Sequence, residues 1–157
     1  MSHVPHDIRI DDILIRRVPP TSVAFKTVTP NGTGRDRATS ASLSLKDDEQ
    51  ELSCSLLRIT SPRQLLDHLT DQRINPTGWN VCAFVVRDVE SLGFTVRFTP
   101  IEGGDTGHCS ISNQNEGGPR FPDSKTRKFA LKTIILNEGE IAAPSRIPAL
   151  FKSLNIE

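Results

Sequence analysis

His108 opens a short run, His108 to Asn113, in which Ser110 and Ser112 alternate with Cys109 and Ile111. In an extended strand, that alternation puts His108, Ser110 and Ser112 on one face and Cys109 and Ile111 on the other. Imidazoles titrate near neutrality, so a histidine on a strand's polar face can act as general acid or base. Ser110 stands beside it as a hydroxyl for the same chemistry. Arginines supply the complementary part. Arg16 adjoins Arg17 in an apolar stretch, while Arg35 and Arg37 flank Asp36 in a Gly- and Thr-rich loop, Thr29 to Ser40. A guanidinium presents a planar fork of donors that fits phosphate or carboxylate and stabilises developing negative charge. With His108 and Ser110 as catalytic groups and Arg16, Arg35 and Arg37 as an anion-binding set, the chain would make a small hydrolase or nuclease-like enzyme. The plainer reading of the same residues is an exposed histidine on a hairpin and solvated loop arginines.

A second candidate is a basic helix face formed by Lys125, Arg127, Lys128 and Lys132. It would dock an acidic partner, or otherwise serve as an ordinary solvated face. About four charges give only weak, salt-sensitive contact with a nucleic-acid backbone.

Stronger signatures are missing. The sequence has no GxSxG elbow, no HExxH and no cysteine–histidine set with zinc spacing. The Gly-rich stretch Ile101 to Gly107 carries no lysine and precedes no helix, so it is not a phosphate-binding P-loop. His3 and His6 lie around Pro5 in a polar leader and read as part of a tail. His68 borders an apolar helical stripe, and the adjacent acids Asp11-Asp12 and Asp47-Asp48 read as solvated turn residues. No metal and no cofactor are expected.

Composition narrows the class. The 19 basic and 19 acidic residues cancel, so the basic excess of a nonspecific nucleic-acid binder is absent. Direct nucleic-acid binding is expected to be weak or absent. No apolar run approaches the roughly 20 residues that span a bilayer, and the first residues lack the apolar core of a secretion signal. Cys54, Cys82 and Cys109 are isolated in apolar surroundings and read as buried free thiols of a reducing compartment. A cytoplasmic protein is expected.

The elements that must position these residues follow from periodicity and punctuation. Residues 1–11 read as a flexible tail, and residues 12–157 as a single domain. Asp12 to Val18 reads as a strand stopped by Pro19-Pro20. A further short strand is expected at Val23 to Val28, and a turn at Asn31-Gly32. Ser40–Leu45 and Glu51–Ile59 alternate polar and apolar residues and read as a hairpin around a charged connection. Ser61-Pro62-Arg63-Gln64 is a capping box that starts a helix with Leu65, Leu66 and Leu69 on one stripe. Val81 to Val86 reads as a strand buried on both faces. The Arg87–Gly93 connection spans seven residues. That is too short for a parallel crossover, which takes a dozen or more. Phe94, Val96 and Phe98 alternate as a half-buried strand. Lys125 to Leu136 reads as a helix with Leu131, Ile134 and Ile135 inward, though Thr133-Ile134-Ile135 also suits a strand. Pro144 to Leu154 reads as a last short helix. The fold expected is α+β, with a mostly antiparallel or mixed sheet and two to three helices.

Asp12 with Arg16-Arg17, then Arg37-Ala38-Thr39-Ser40-Ala41, Leu52-Ser53, a glycine-flanked central strand, and His108 with an apolar residue three later occur in a fixed order. That order resembles a family of small, largely uncharacterised bacterial cytosolic proteins. In that family the second piece reads Arg-x-Ser-Ser-Ala-Phe, where this chain continues to Leu43. The family's histidine follows Asn-Pro, where this chain has Thr106-Gly107. The resemblance implies a bacterial cytosolic setting and draws attention to Arg16, Arg37, Ser40 and His108. It implies no activity. Balanced charge, small size and the lack of a convincing catalytic set favour a small accessory or interaction module acting with a larger protein partner. The alternative is the enzyme built on His108.

Overall fold

A computed structural model describes residues 8–20, 36–45, 49–113 and 120–154. The expected strand at 23–28, the Asn31-Gly32 turn, Arg35, His3, His6 and the Asp47-Asp48 pair lie outside the described residues.

Six strands form one antiparallel sheet: β1 (Ile13–Val18), β2 (Glu51–Leu56), β3 (Asn80–Val85), β4 (Thr95–Phe98), β5 (His108–Ser112) and β6 (Ile134–Ile135). Their spatial order is β4-β5-β2-β1-β3-β6. The described helices are α1 (Pro62–Asp71), α2 (Val86–Ser91), α3 (Asp123–Leu131), α4 (Glu138–Ala142) and α5 (Ile147–Leu154). The fold is therefore α+β, with helices grouped on the two faces of an antiparallel sheet.

Strand parity divides the core. Leu14 and Val18 on β1, Leu52, Cys54 and Leu56 on β2, Cys82 and Phe84 on β3, and Cys109 and Ile111 on β5 share one face. Val89 of α2 and Phe129 and Ala130 of α3 pack on that face, where Phe129 meets Phe84 edge-on at 4.9 Å. On the other face, Ile13, Ile15, Val81, Ala83 and Ile134 pack with Leu65, Leu66 and Leu69 of α1, Ile141 of α4 and Ile147 of α5. Val81, Cys82, Ala83 and Phe84 are fully buried, as a strand covered on both sides requires.

Local chemistry explains most boundaries. Ser61 Oγ accepts from the Gln64 amide at 3.1 Å, and Gln64 Oε1 accepts from the Ser61 amide at 2.9 Å. At the other end of α1, Arg73 takes φ 62°, and the Ile74 amide reaches back to the Leu69 carbonyl at 2.7 Å. This is a Schellman closure with arginine where glycine is usual. The short connection through α2 is nevertheless a parallel crossover, against the expectation from its length: the registers give β3 and β4 the same direction, four positions apart in the sheet, with α2 bridging them.

Two expected elements differ. Ser40–Leu45 is not a strand: Ser40–Leu43 is a 3-10 turn. The serines that suggested alternation bond their own backbone instead, Ser42 Oγ to the Thr39 carbonyl and Ser44 Oγ to the Ser40 carbonyl, both at 2.8 Å. β2 pairs with β1 and β5 rather than with this segment. Downstream, α3 stops at Leu131, and Ile134–Ile135 pair with β3 as β6. β-Branched residues favour the extended form once Lys132 has capped the helix. Leu131 is consequently 44% exposed rather than inward. A helix that periodicity did not indicate, α4, is set by Asn137 and Glu140, which form a second capping box.

Candidate functional site

The helices cover only half of their second face. α1, α4 and α5 lie over residues of β1, β3 and β6, and the half made by β4, β5 and β2 is polar throughout. The pairing registers align its residues in rows across the three strands. Thr95, Ser112 and Glu51 form one row, and Arg97, Ser110 and Ser53 the next. In the last, His108 pairs with Ser55 and takes the Thr99 amide on its carbonyl at 3.0 Å. Apolar residues resume only at β1, where Ile15 stands opposite Ser55. Along this face Thr95, Arg97 and Ser53 are exposed, His108, Thr99 and Glu51 half-buried, and Ser55, Ser110 and Ser112 buried.

His108 faces away from Cys109 and Ile111, on this polar surface. Its Nδ1 lies 2.9 Å from Thr99 Oγ1 and 3.0 Å from the Thr99 carbonyl. Thr99 Oγ1 in turn lies 2.8 Å from Ser110 Oγ. The three side chains form a hydrogen-bonded chain across β4 and β5, which fixes the imidazole against the sheet. Arg97 bonds Glu51 across β5. Arg17 donates to Gln72 Oε1 at 3.3 Å and lies 6.0 Å over the Trp79 ring at the margin of α1.

A carboxylate unmarked by any sequence motif anchors one end of this face. Asp105 is buried in the β4–β5 loop. It accepts a short bond from Ser55 Oγ, a 2.5 Å bond from Thr60 Oγ1, and the Gly107 amide at 3.0 Å. Its own carbonyl receives the Ile101 and His108 amides at 2.9 and 3.2 Å. Ser55 therefore points at a carboxylate and not at His108, and it is 1% exposed. That arrangement locks a loop and offers no nucleophile. Glycine is required at 107, where an added Cβ would stand 2.3 Å from Thr60 Oγ1.

The arginines do not join His108. Arg16 has the same parity in β1 as Leu14 and Val18, so its side chain leaves the face opposite to His108, among Cys54 and Cys82. There its Nε donates to the Ser42 carbonyl at 3.1 Å and its Nη1 to the Ser53 carbonyl at 2.6 Å. Burial holds its pKa below the ordinary arginine value. Arg37 lies beyond β6: neighbouring Asp36 accepts from the Ile135 amide at 2.9 Å, and the Ala38 amide donates to Thr133 Oγ1 at 2.9 Å. From β5 to β6 is four strand spacings, roughly 19 Å. The set of His108, Arg16 and Arg37 is thus not assembled at one place. A shallow depression between α4 and α5, lined by Asn137, Glu138, Glu140, Arg146 and Leu150, contains none of the candidate residues.

The thiols are core groups. Burial pushes Cys82 and Cys109 up to about 12 and Cys54 well above the ordinary range. They stay protonated and are poor nucleophiles. Among the described residues no group of three or more His, Cys, Asp or Glu could hold a metal ion, and no helix is long and apolar enough to cross a membrane.

The basic helix residues are split. Arg127 and Lys128 are exposed, whereas Lys125 and Lys132 are half-buried. Lys125 Nζ donates to Asn113 Oδ1 at 3.1 Å and lies 5.3 Å over the ring of Phe94, the residue that leads into β4. Lys132 lies near Asp88 of α2, whose pKa is raised by burial.

The two edges of the sheet are treated differently. At β6 the outward Ile135 amide is taken by Asp36. At β4, the Thr99–His108 bond makes Thr99, Arg97 and Thr95 the residues whose backbone bonds β5. Val96 and Phe98 then direct their N–H and C=O groups outward. No hydrogen bond to these groups is formed within the described residues. Free edges of this kind template pairing with another chain.

No family model, curated protein or solved structure was found to match the chain.

Proposed function

We propose that the protein is a small noncatalytic accessory module that binds a larger protein partner through the β4 end of its sheet, in the bacterial cytoplasm. The observation that carries this reading is the edge of β4, unpaired among the described residues, beside a polar sheet face that no described helix covers. Backbone groups left open on an edge strand give affinity, and the side chains beside them give selection. Three free, buried thiols suit a reducing compartment. The enzyme reading needs His108 and an arginine on one substrate. Arg16 lies across the sheet from His108 and Arg37 lies beyond β6.

Affinity capture from the native host tests this. The wild-type chain is expected to retain a stoichiometric partner, and Arg97→Glu to lower retention about tenfold, a loss of about 1.4 kcal/mol. His108→Gln preserves hydrogen bonding to Thr99 but cannot shuttle a proton, so it is expected to retain capture. A cellular phenotype lost in His108→Gln with capture intact would overturn the noncatalytic reading, as would the absence of any partner.

A further inference from the structure

Resting on that reading, we infer the chemistry of what binds: an extended, acidic peptide segment that adds to β4 as a seventh strand. The geometry of the backbone comes first. Val96 and Phe98 each expose one N–H and one C=O in the plane of the sheet, the spacing that an added strand satisfies. The β4 strand is short, with four residues. Pairing of two copies along it would bury far less than the roughly 1,200 Å² of a stable interface, which favours a linear segment over a second copy of this chain.

Charge selects the segment. On the polar face, Arg97 is the exposed cation of β4. It already takes a carboxylate, that of Glu51. At the start of the strand, α3 brings Lys125 over Phe94, and Lys128 follows one turn later, exposed. Phe94 packs against Phe121 with tilted rings, centroids 4.6 Å apart, which places exposed Arg120 beside the same end. An incoming strand therefore meets cations on the polar face and at the α3 end, with Glu51 and the exposed Asp123 at the start of α3 as the acids that compete. Glutamates or aspartates along it would find guanidinium and ammonium partners, and lysines would be repelled.

The probe is a short fluorescent peptide alternating glutamate with valine, compared with its lysine-for-glutamate counterpart by fluorescence anisotropy at low salt. The acidic peptide is expected to bind at least tenfold more tightly. Val96→Pro removes an outward N–H and part of a buried side chain but no bond of the ladder to β5, which runs through Thr95, Arg97 and Thr99. It is expected to abolish binding while leaving the far-ultraviolet spectrum unchanged. Glu51→Gln frees Arg97 and is expected to tighten binding about threefold. Equal affinity for both peptides, or binding of the acidic peptide that survives Val96→Pro, overturns the inference. A captured native partner that contacts the polar face without touching β4 sinks this inference and leaves the module reading standing. Absence of any captured partner sinks the module reading itself.

Discussion

Asp105→Ala is expected to lower the stability of the domain by about 3 to 5 kcal/mol, the largest single-residue effect on the polar side of the sheet. The carboxylate takes Ser55, Thr60 and the Gly107 amide. Ser55 and Thr60 are 1% and 3% exposed, so water does not replace it. Removing the acceptor leaves buried donors without partners, and each such orphan costs about 1 to 3 kcal/mol. The loss should be strongly non-additive. In the Asp105→Ala background, adding Ser55→Ala and Thr60→Val removes orphaned hydroxyls and should restore part of the stability. Urea unfolding followed by circular dichroism reads both effects as shifts in midpoint. A loss under about 1 kcal/mol for Asp105→Ala would mean that the loop is held by something other than this cluster.

The second large effect is alkaline unfolding driven by the thiols. Cys82 and Cys109 are raised to about 12, and Cys54 is raised well above its usual range, all chiefly by burial. In the unfolded chain the same thiols ionise near pH 9. The folded form then holds protons that the unfolded form has lost. The stabilisation conferred is full below about pH 9 and disappears as pH rises towards 12. Each thiol that ionises only on unfolding steepens the loss of stability with pH in that window, and because Cys54 also feels the charges of Cys109 and Cys82 the three contributions are coupled and not a simple sum. The chain has no tyrosine, so thiolate absorbance reports the transition without phenolate overlap. A triple Cys54→Ala, Cys82→Ala, Cys109→Ala variant starts less stable but should show a much flatter loss across the same pH range. An equally steep loss in that variant would assign the alkaline transition to other groups.

What could be read from the sequence was whatever chemistry is local. The Ser61–Gln64 capping box is written within four residues, and the helix starts there. The apolar run from Val81 is continuous because helices cover both sides of β3, and it was legible for that reason. Period-two alternation was enough to turn His108 away from Cys109. The same alternation misled at Ser40–Leu45, where serine hydroxyls bond the backbone and close a 3-10 turn. Strand order was not legible. It decides that Arg97, Glu51 and Arg17 share the face of His108 and that Arg16 does not. Asp105 was missed because a lone aspartate in a Gly-rich loop looks like a turn residue, and its partners Ser55 and Thr60 lie 50 and 45 positions away. Asn137 and Glu140 have the spacing of a capping box and could have been found; the glycine between them hid the helix.

On the reading proposed above, β4 is where the protein meets its partner. Amide hydrogen exchange at β4, measured on the free chain and on the captured complex, tests it most directly. In the free protein, Val96 and Phe98 should exchange fast while Thr95 and Arg97, bonded to β5, are protected. In the complex, the Val96 and Phe98 amides should slow at least tenfold. Unchanged exchange at both amides in a saturated complex would rule out docking at β4 and place the interface elsewhere on the molecule.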